Sequence, residues 1–454
     1  MAEDPFWSSN TTFYIHPIAY QSCKISFTEW VSLLTLCLAP LIAHIAAGVP
    51  QPSFLHERSP RWHERIGLYN PTTILWRYAA IADRRIRAKY WDRKVFAATN
   101  ALFWTSRGWD GSEEMITLSS PYCTHLPEHT RIALFSRESI KTLIVTLQGT
   151  QAVVSLGLAL GGKSASDGFV TFMGVDLIFF PLAFIGLVRL FCAFWLTDDF
   201  AYASLRSTAL VGDDSTSAKV NDTRVSMDSL LGDGTTDSSP KEDRFLPTSY
   251  LWSKVFRGLF LFPLLGLWVV CLLFILQPEG GKMFTATSFL MALFYLVFIS
   301  ASIFICGFYL ARGHSSTTIP SIGSVWYKCY TGLLLGMVLV IFVVACIETR
   351  HTTCGKWTSA PYSVGDFWAC SDSRTPDIIA VDPDSLPAFG LATTKPSYDQ
   401  HNETLGDGEF WVRNFTGHCL GRMGNTTVKL ASTREVVDLR DFQGDNANSY
   451  SLWY

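Results

Sequence analysis

Charge is what this sequence has least of. Only 17% of its 454 residues are Asp, Glu, Lys or Arg, whereas 48% are hydrophobic; soluble globular chains carry about a quarter charged residues. Motif spacings that bring chemistry are missing as well. No Cys-x-x-Cys, His-Glu-x-x-His or Gly-x-Ser-x-Gly occurs, which removes the usual signatures of metal, redox and serine-nucleophile sites. His125 and His129 have the spacing of helical metal ligands, but Pro127 between them makes a loop of that stretch. Asp198-Asp199 lacks the further carboxylates of a diphosphate–magnesium site. No cofactor, no metal and no enzymatic activity are therefore expected. The net charge of −3, without a long single-sign tail, gives no case for nucleic acid as a partner. Residues 1–29 lack a basic start followed by an apolar stretch, so the first span is expected to act as its own insertion signal.

What is present is apolar sequence in long runs. About 20 apolar residues cross the hydrocarbon of a bilayer, and six segments qualify: Trp30–Val49, Leu143–Gly162, Phe169–Leu190, Gly258–Gln277, Thr287–Leu310 and Cys329–Ile347. The second is interrupted by Gln148 and Gln151, and the first carries Pro40 and His44. The expected fold class is all-α membrane: a six-span helical bundle with a small, partly β lumenal C-terminal region. Strands are expected around Glu409–Phe415 and Arg434–Leu439. Val211–Asp243 is dominated by Ser, Thr, Asp and Gly, too polar to bury enough surface for order.

Lysine and arginine set orientation because they resist translocation. With residues 50–142 placed inside, the inner loops hold 23 of them and the outer short segments only Lys24, Lys163 and Lys282. Both termini then lie outside the cytosol, in a secretory-pathway or plasma membrane. Glycosylation sequons at Asn10, Asn402, Asn414 and Asn425 fall on that outer side, whereas Asn221 falls inside. Cys23, Cys354, Cys370 and Cys419 are outside too, an even number available for oxidation.

The inner loop contains Leu75, Tyr78, Ala82, Ile86 and Tyr90 at three- and four-residue steps. Arg84, Arg85, Arg87, Lys89, Arg93 and Lys94 fill the remaining arc. A helix over 74–104 with this pattern suits the membrane surface, its cations on anionic lipid headgroups; the bland alternative is a helix packed on the spans. A second copy or another membrane protein is a possible partner.

Gly157 through Ser164 match the phosphate-loop pattern letter for letter. That loop needs a strand before it and a helix after it, and here a membrane helix precedes it. Gly157 with Gly161, and Gly332 with Gly336, read instead as small-residue faces for close helix approach. Within the membrane, Asp176 stands about 10 Å into the third span at helical rise. Gln148, Gln151 and Ser155 share one face of the neighbouring span, so a polar seam with Asp176 is expected. Such a carboxyl either holds a helix pair by hydrogen bonds or handles a proton or cation. Arg189, near the inner end of the same span, is expected to snorkel to the interface.

Overall fold

A computed structural model describes residues 14–161, 173–203, 244–276, 283–351 and 357–361, together with four short C-terminal strands. Its helices of seven or more residues are α1 (Phe27–Gly48), α2 (Pro71–Arg87), α3 (Arg93–Asn100), α4 (Arg137–Gly161), α5 (Phe180–Gly186), α6 (Leu251–Leu276), α7 (Ala286–Ala311) and α8 (Val325–Glu348). Four of them, α1, α6, α7 and α8, are long and apolar enough to cross a membrane.

Local sequence explains where these helices start. Ser26 and Glu29 form a reciprocal capping box on α1, which satisfies two amide donors that a helix start leaves open. Asn70 caps α2 ahead of Pro71, whose fixed φ suits the first turn. Thr285 and Ser324 cap α7 and α8.

The helix ends gather in two polar zones. At the basic end, the Arg189 guanidinium donates to the Ala47 carbonyl at the end of α1 and pairs with Glu138 at the start of α4. Arg257, early in α6, donates to the Leu310 carbonyl at the end of α7. Tyr327, early in α8, shares a hydrogen bond with Thr73 of α2. At the opposite end, Glu348 at the close of α8 accepts from the amide and hydroxyl of Thr287 at the start of α7. Gln21, just before α1, donates to the Glu348 carbonyl, and the Val175 amide donates to Thr349.

Residues 173–191 run between the same two zones, but not as one helix. A one-turn 3-10 helix at Val175–Leu177 precedes α5, and another at Leu187–Phe191 follows it. Pro181, in the first turn of α5, has no amide to donate, and its ring would crowd the carbonyl four residues earlier if the helix ran on upstream. The uninterrupted third span expected over Phe169–Leu190 is therefore corrected to a broken segment. Its close partner is α4: a side chain at Gly149 would meet Leu187 and the Ala183 carbonyl, and one at Gly186 would meet Val145.

The basic stretch is corrected too. Instead of one helix over 74–104 it forms α2, then α3, then strand. Helix α2 stops because the Arg87 carbonyl accepts from the Leu246 amide and the Lys89 amide donates to the Arg244 carbonyl, which draws the backbone out of the helix. Asp92 then caps a new helix through the Val95 amide. Strands β1 (Pro52–Phe54) and β2 (Leu102–Thr105) pair in parallel, and β2 turns back on β3 (Gly108–Asp110). Parallel neighbours need a long crossover, which α2 and α3 supply. Gly108 has φ of 100°, the left-handed region that glycine tolerates at such a turn. A small core of Leu55, Val95, Phe103, Met115 and Ile116 lies under this sheet.

Helix α2 does not lie on a surface. Ile74, Leu75, Trp76, Ala79 and Ile81 are buried with Leu33 of α1, Phe260 of α6 and Phe298 of α7 in the main core. Each large apolar side chain so placed contributes roughly 1.5–3 kcal/mol. In the C-terminal region the strands Ile378–Val381, Phe410–Arg413, Thr427–Leu430 and Glu435–Asp438 pair antiparallel.

Candidate functional site

The polar residues of α2 are buried with the apolar ones, so each charge needs a partner inside the protein. Asp83, 2% exposed, receives Arg87 Nε at 3.0 Å and Arg257 Nη2 at 2.8 Å. The Ser253 hydroxyl donates to its other oxygen, which also accepts Arg257 Nε at 3.1 Å. Arg87 continues to Glu113 at 2.5 Å and to the Leu246 carbonyl at 3.0 Å. Arg84 donates from Nη2 to the carbonyls of Gly111 and Ser315 at 2.6 and 3.0 Å. Its Nε and Nη1 have no hydrogen-bond partner. Burial pushes the Arg84 guanidinium down to about 10, which still leaves it charged at neutral pH.

A second cluster stands beside the first. Arg189, 1% exposed, pairs with Glu138, donates to the Tyr78 hydroxyl at 3.2 Å and to Thr142 at 2.9 Å. Lys141 completes the pair from the other side at 2.5 Å. The snorkelling expected of Arg189 is thereby corrected: the end of α1, the start of α4 and Tyr78 of α2 converge on the guanidinium before it can reach an interface. Arg77 donates to the carbonyls of Gly48 and Asn100, tying α1 and α3 to α2.

The six cations expected at the membrane surface divide. Arg84 and Arg87 are buried and engaged as described, so they are corrected from headgroup ligands to internal partners. Arg85 is half-buried and stacks over Trp91, 5.3 Å from its centroid. Lys89, Arg93 and Lys94 are exposed.

An open cavity of about 350 Å³ lies at the same end, between the β2–β3 hairpin and the start of α8. His56, Arg58, Glu64, Arg107 and Lys328 line it, with Trp104 and Trp109 as an aromatic wall. Those two indoles meet edge-on at 4.9 Å. Trp104 Nε1 donates to the Arg58 carbonyl at 2.6 Å and Trp109 Nε1 to the Glu64 carbonyl at 2.7 Å, so the wall is fixed. Lys328 Nζ stands 3.4 Å from His63 Nδ1. The Glu64 carboxylate already accepts from the Arg61 amide at 2.6 Å.

At the opposite end Asp176 lies close to Gly174, in the 3-10 turn packed against α1, and its Oδ1 has no hydrogen-bond partner. Among the described residues no hydrogen bond joins it to Gln148 or Gln151. Gln151 is exposed on α4, because the face of α4 that meets the broken segment is that of Val145 and Gly149. The side chain of Ser155 lies outside the described residues. His44 is buried with no partner at Nε2.

Cys23 is a free, exposed thiol. Cys354, Cys370 and Cys419 lie outside the described residues, as do Asn10, Asn402, Asn414, Asn425 and Asn221. The phosphate-loop lookalike is helical through Gly161, and Gly162–Ser164 lie outside. No group of three metal-ligating side chains occurs among the described residues.

Sequence reasoning missed Asp83, Glu113, Glu138 and Arg257 as a network, and Arg58, Arg107 and Lys328 as a cavity lining. Arg257 one residue before an apolar run is a signal of sorts, because a charge at a span boundary needs an interfacial or buried partner. Arg58 and Arg107 sit in ordinary loop sequence and carry none. No family model, no curated protein and no solved structure matches this chain.

Proposed function

We propose that this multi-pass membrane protein works by binding: it holds a small domain rigidly at its basic face as a platform for a ligand or partner, and it is not an enzyme. The supporting observation is the burial of α2 across the basic ends of α1, α6, α7 and α8. A helix packed there, its Asp83 paired with Arg257 of α6 and its Arg87 with Glu113, fills space that an aqueous route between those helix ends would need. It also ties the domain of β1–β3 directly to the spans. A force on the domain is carried to α6 through Asp83–Arg257 and to α1 and α4 through Arg189.

On this reading the chain crosses the membrane six times, α4 and the broken segment 173–191 being the two further crossings. The lysine and arginine asymmetry puts the β1–β3 domain in the cytosol and both termini outside, with the C-terminal region glycosylated. Exposed Lys89, Arg93 and Lys94 then face the inner leaflet, where each cation is worth about 1 kcal/mol toward anionic lipid.

A second reading has one specific observation behind it. Asp176 carries a carboxylate oxygen without a partner in a largely enclosed position, which suits a proton- or cation-coupled carrier. Flux in proteoliposomes under a pH gradient separates the two. The platform reading expects wild-type and Asp176→Asn protein to leak no faster than protein-free vesicles. A gradient-driven flux that Asp176→Asn abolishes would replace it with the carrier.

A further inference from the structure

The cavity beside the β2–β3 hairpin has a charge pattern that its own protein does not use. Arg58, Arg107 and Lys328 converge on it against a single carboxylate, Glu64, and that carboxylate is engaged by the Arg61 amide. Neither arginine has a carboxylate partner among the described residues. Three cations against one anion leave two positive charges at one mouth, with His56 beside them. Concentrated like charge of this kind is unfavourable unless an anion answers it. Guanidinium groups offer paired donors that match the oxygens of phosphate, and a phosphomonoester carries about two negative charges near neutral pH.

Two more features point to a ligand and not to a solvated surface. The volume of about 350 Å³ falls in the range of small-molecule sites, about 300–1,000 Å³. The tryptophan wall is immobilised by hydrogen bonds to the Arg58 and Glu64 carbonyls, so the position of Arg58 is coupled to the wall. Trp62 and Trp326, 77% and 51% exposed, flank the same region, one beside His63 and the other two residues before Lys328. Trp326 stands at the start of the apolar helix α8, where exposed tryptophans mark the membrane–water interface, which sets the cavity at headgroup depth.

We infer that this cavity binds a phosphomonoester group, held by Arg58, Arg107 and Lys328 against the Trp104–Trp109 wall. The inference rests on reading the β1–β3 domain as a binding module. A phosphomonoester arrives either on a lipid, as in phosphatidic acid, or on a soluble molecule such as glycerol phosphate, and the cavity chemistry is the same for both.

The test uses the full chain purified in detergent. Native mass spectrometry reads retention of phosphatidic acid against phosphatidylcholine, and calorimetry reads glycerol phosphate. Wild-type protein should hold at least one probe: retention of the lipid alone assigns a headgroup, saturation by glycerol phosphate alone assigns a soluble ligand, and both together show that the phosphate suffices. Arg58→Gln/Arg107→Gln should weaken that binding by roughly a hundredfold, about tenfold for each charge-assisted bond lost. Both side chains are exposed, so the thermal midpoint should stay put. Arg131→Gln/Arg137→Gln removes equal charge from exposed positions outside the cavity lining and should leave binding intact. Failure of the wild type to bind either probe, or equal losses in the two double variants, overturns the site. Neither result touches the platform reading, which the flux measurement decides separately.

Discussion

Asp83 is the residue on which most depends. It lies on α2, is 2% exposed, and answers two guanidinium groups from different helices. Removing one member of a buried ion pair costs roughly 3–5 kcal/mol because the other charge stays buried without compensation. Asp83→Ala should therefore lower the thermal midpoint steeply or abolish a monodisperse peak in detergent chromatography. Asp83→Leu/Arg257→Met, which removes charge from both sides, should recover part of that loss while Arg87 keeps Glu113. A single and a double variant equally damaged would mean that the network does not couple. Asp176 behaves oppositely under the platform reading. Its Oδ1 has no partner to lose, so Asp176→Asn should leave abundance and thermal midpoint unchanged.

Helix crossings decide which glycines matter. Gly149 and Gly186 sit where α4 meets the broken segment: a β-carbon at Gly149 would stand 2.5 Å from Leu187 Cγ, and one at Gly186 would stand 2.7 Å from Val145 Cγ1. Overpacking of this kind costs about 1–3 kcal/mol, so Gly149→Leu should lower the thermal midpoint measurably. Gly332 and Gly336 were expected to form a close-approach face in α8, yet nothing stands within 4 Å of a β-carbon at either. Gly336→Leu should accordingly be neutral for the isolated chain. An equal drop for Gly149→Leu and Gly336→Leu would show that α8 is covered by a second copy or another membrane protein. The fate of α2 belongs at this scale too. Its period was legible, but Leu75 and Tyr78 on one side and Arg84 and Arg87 on the other are all buried, because helices pack around the whole circumference.

For the whole molecule the proposed six-pass, termini-outside arrangement makes a direct prediction. Endoglycosidase should increase the gel mobility of the intact protein, and replacing Asn402, Asn414 and Asn425 with Gln should remove most of that shift. Asn221→Gln should change nothing. A glycan on Asn221 would invert the orientation and put the β1–β3 domain outside the cytosol.

Apolar length determined, from sequence alone, helices long and apolar enough to cross a bilayer; α1, α6, α7 and α8 follow from composition, because a lone segment in hydrocarbon satisfies its own backbone only as a helix. The third segment was only half legible: its apolar length reads as one span, whereas the chain breaks into 3-10 turns on either side of α5. What the tertiary structure alone decided was the use of charge. A cation in sequence looks the same whether it meets a headgroup, as Lys94 is free to do, or a carboxylate from 174 residues away, as Arg257 does with Asp83. Pairing over such distances depends on which helix ends meet, and only the packed chain brings Arg58, Arg107 and Lys328 to one cavity.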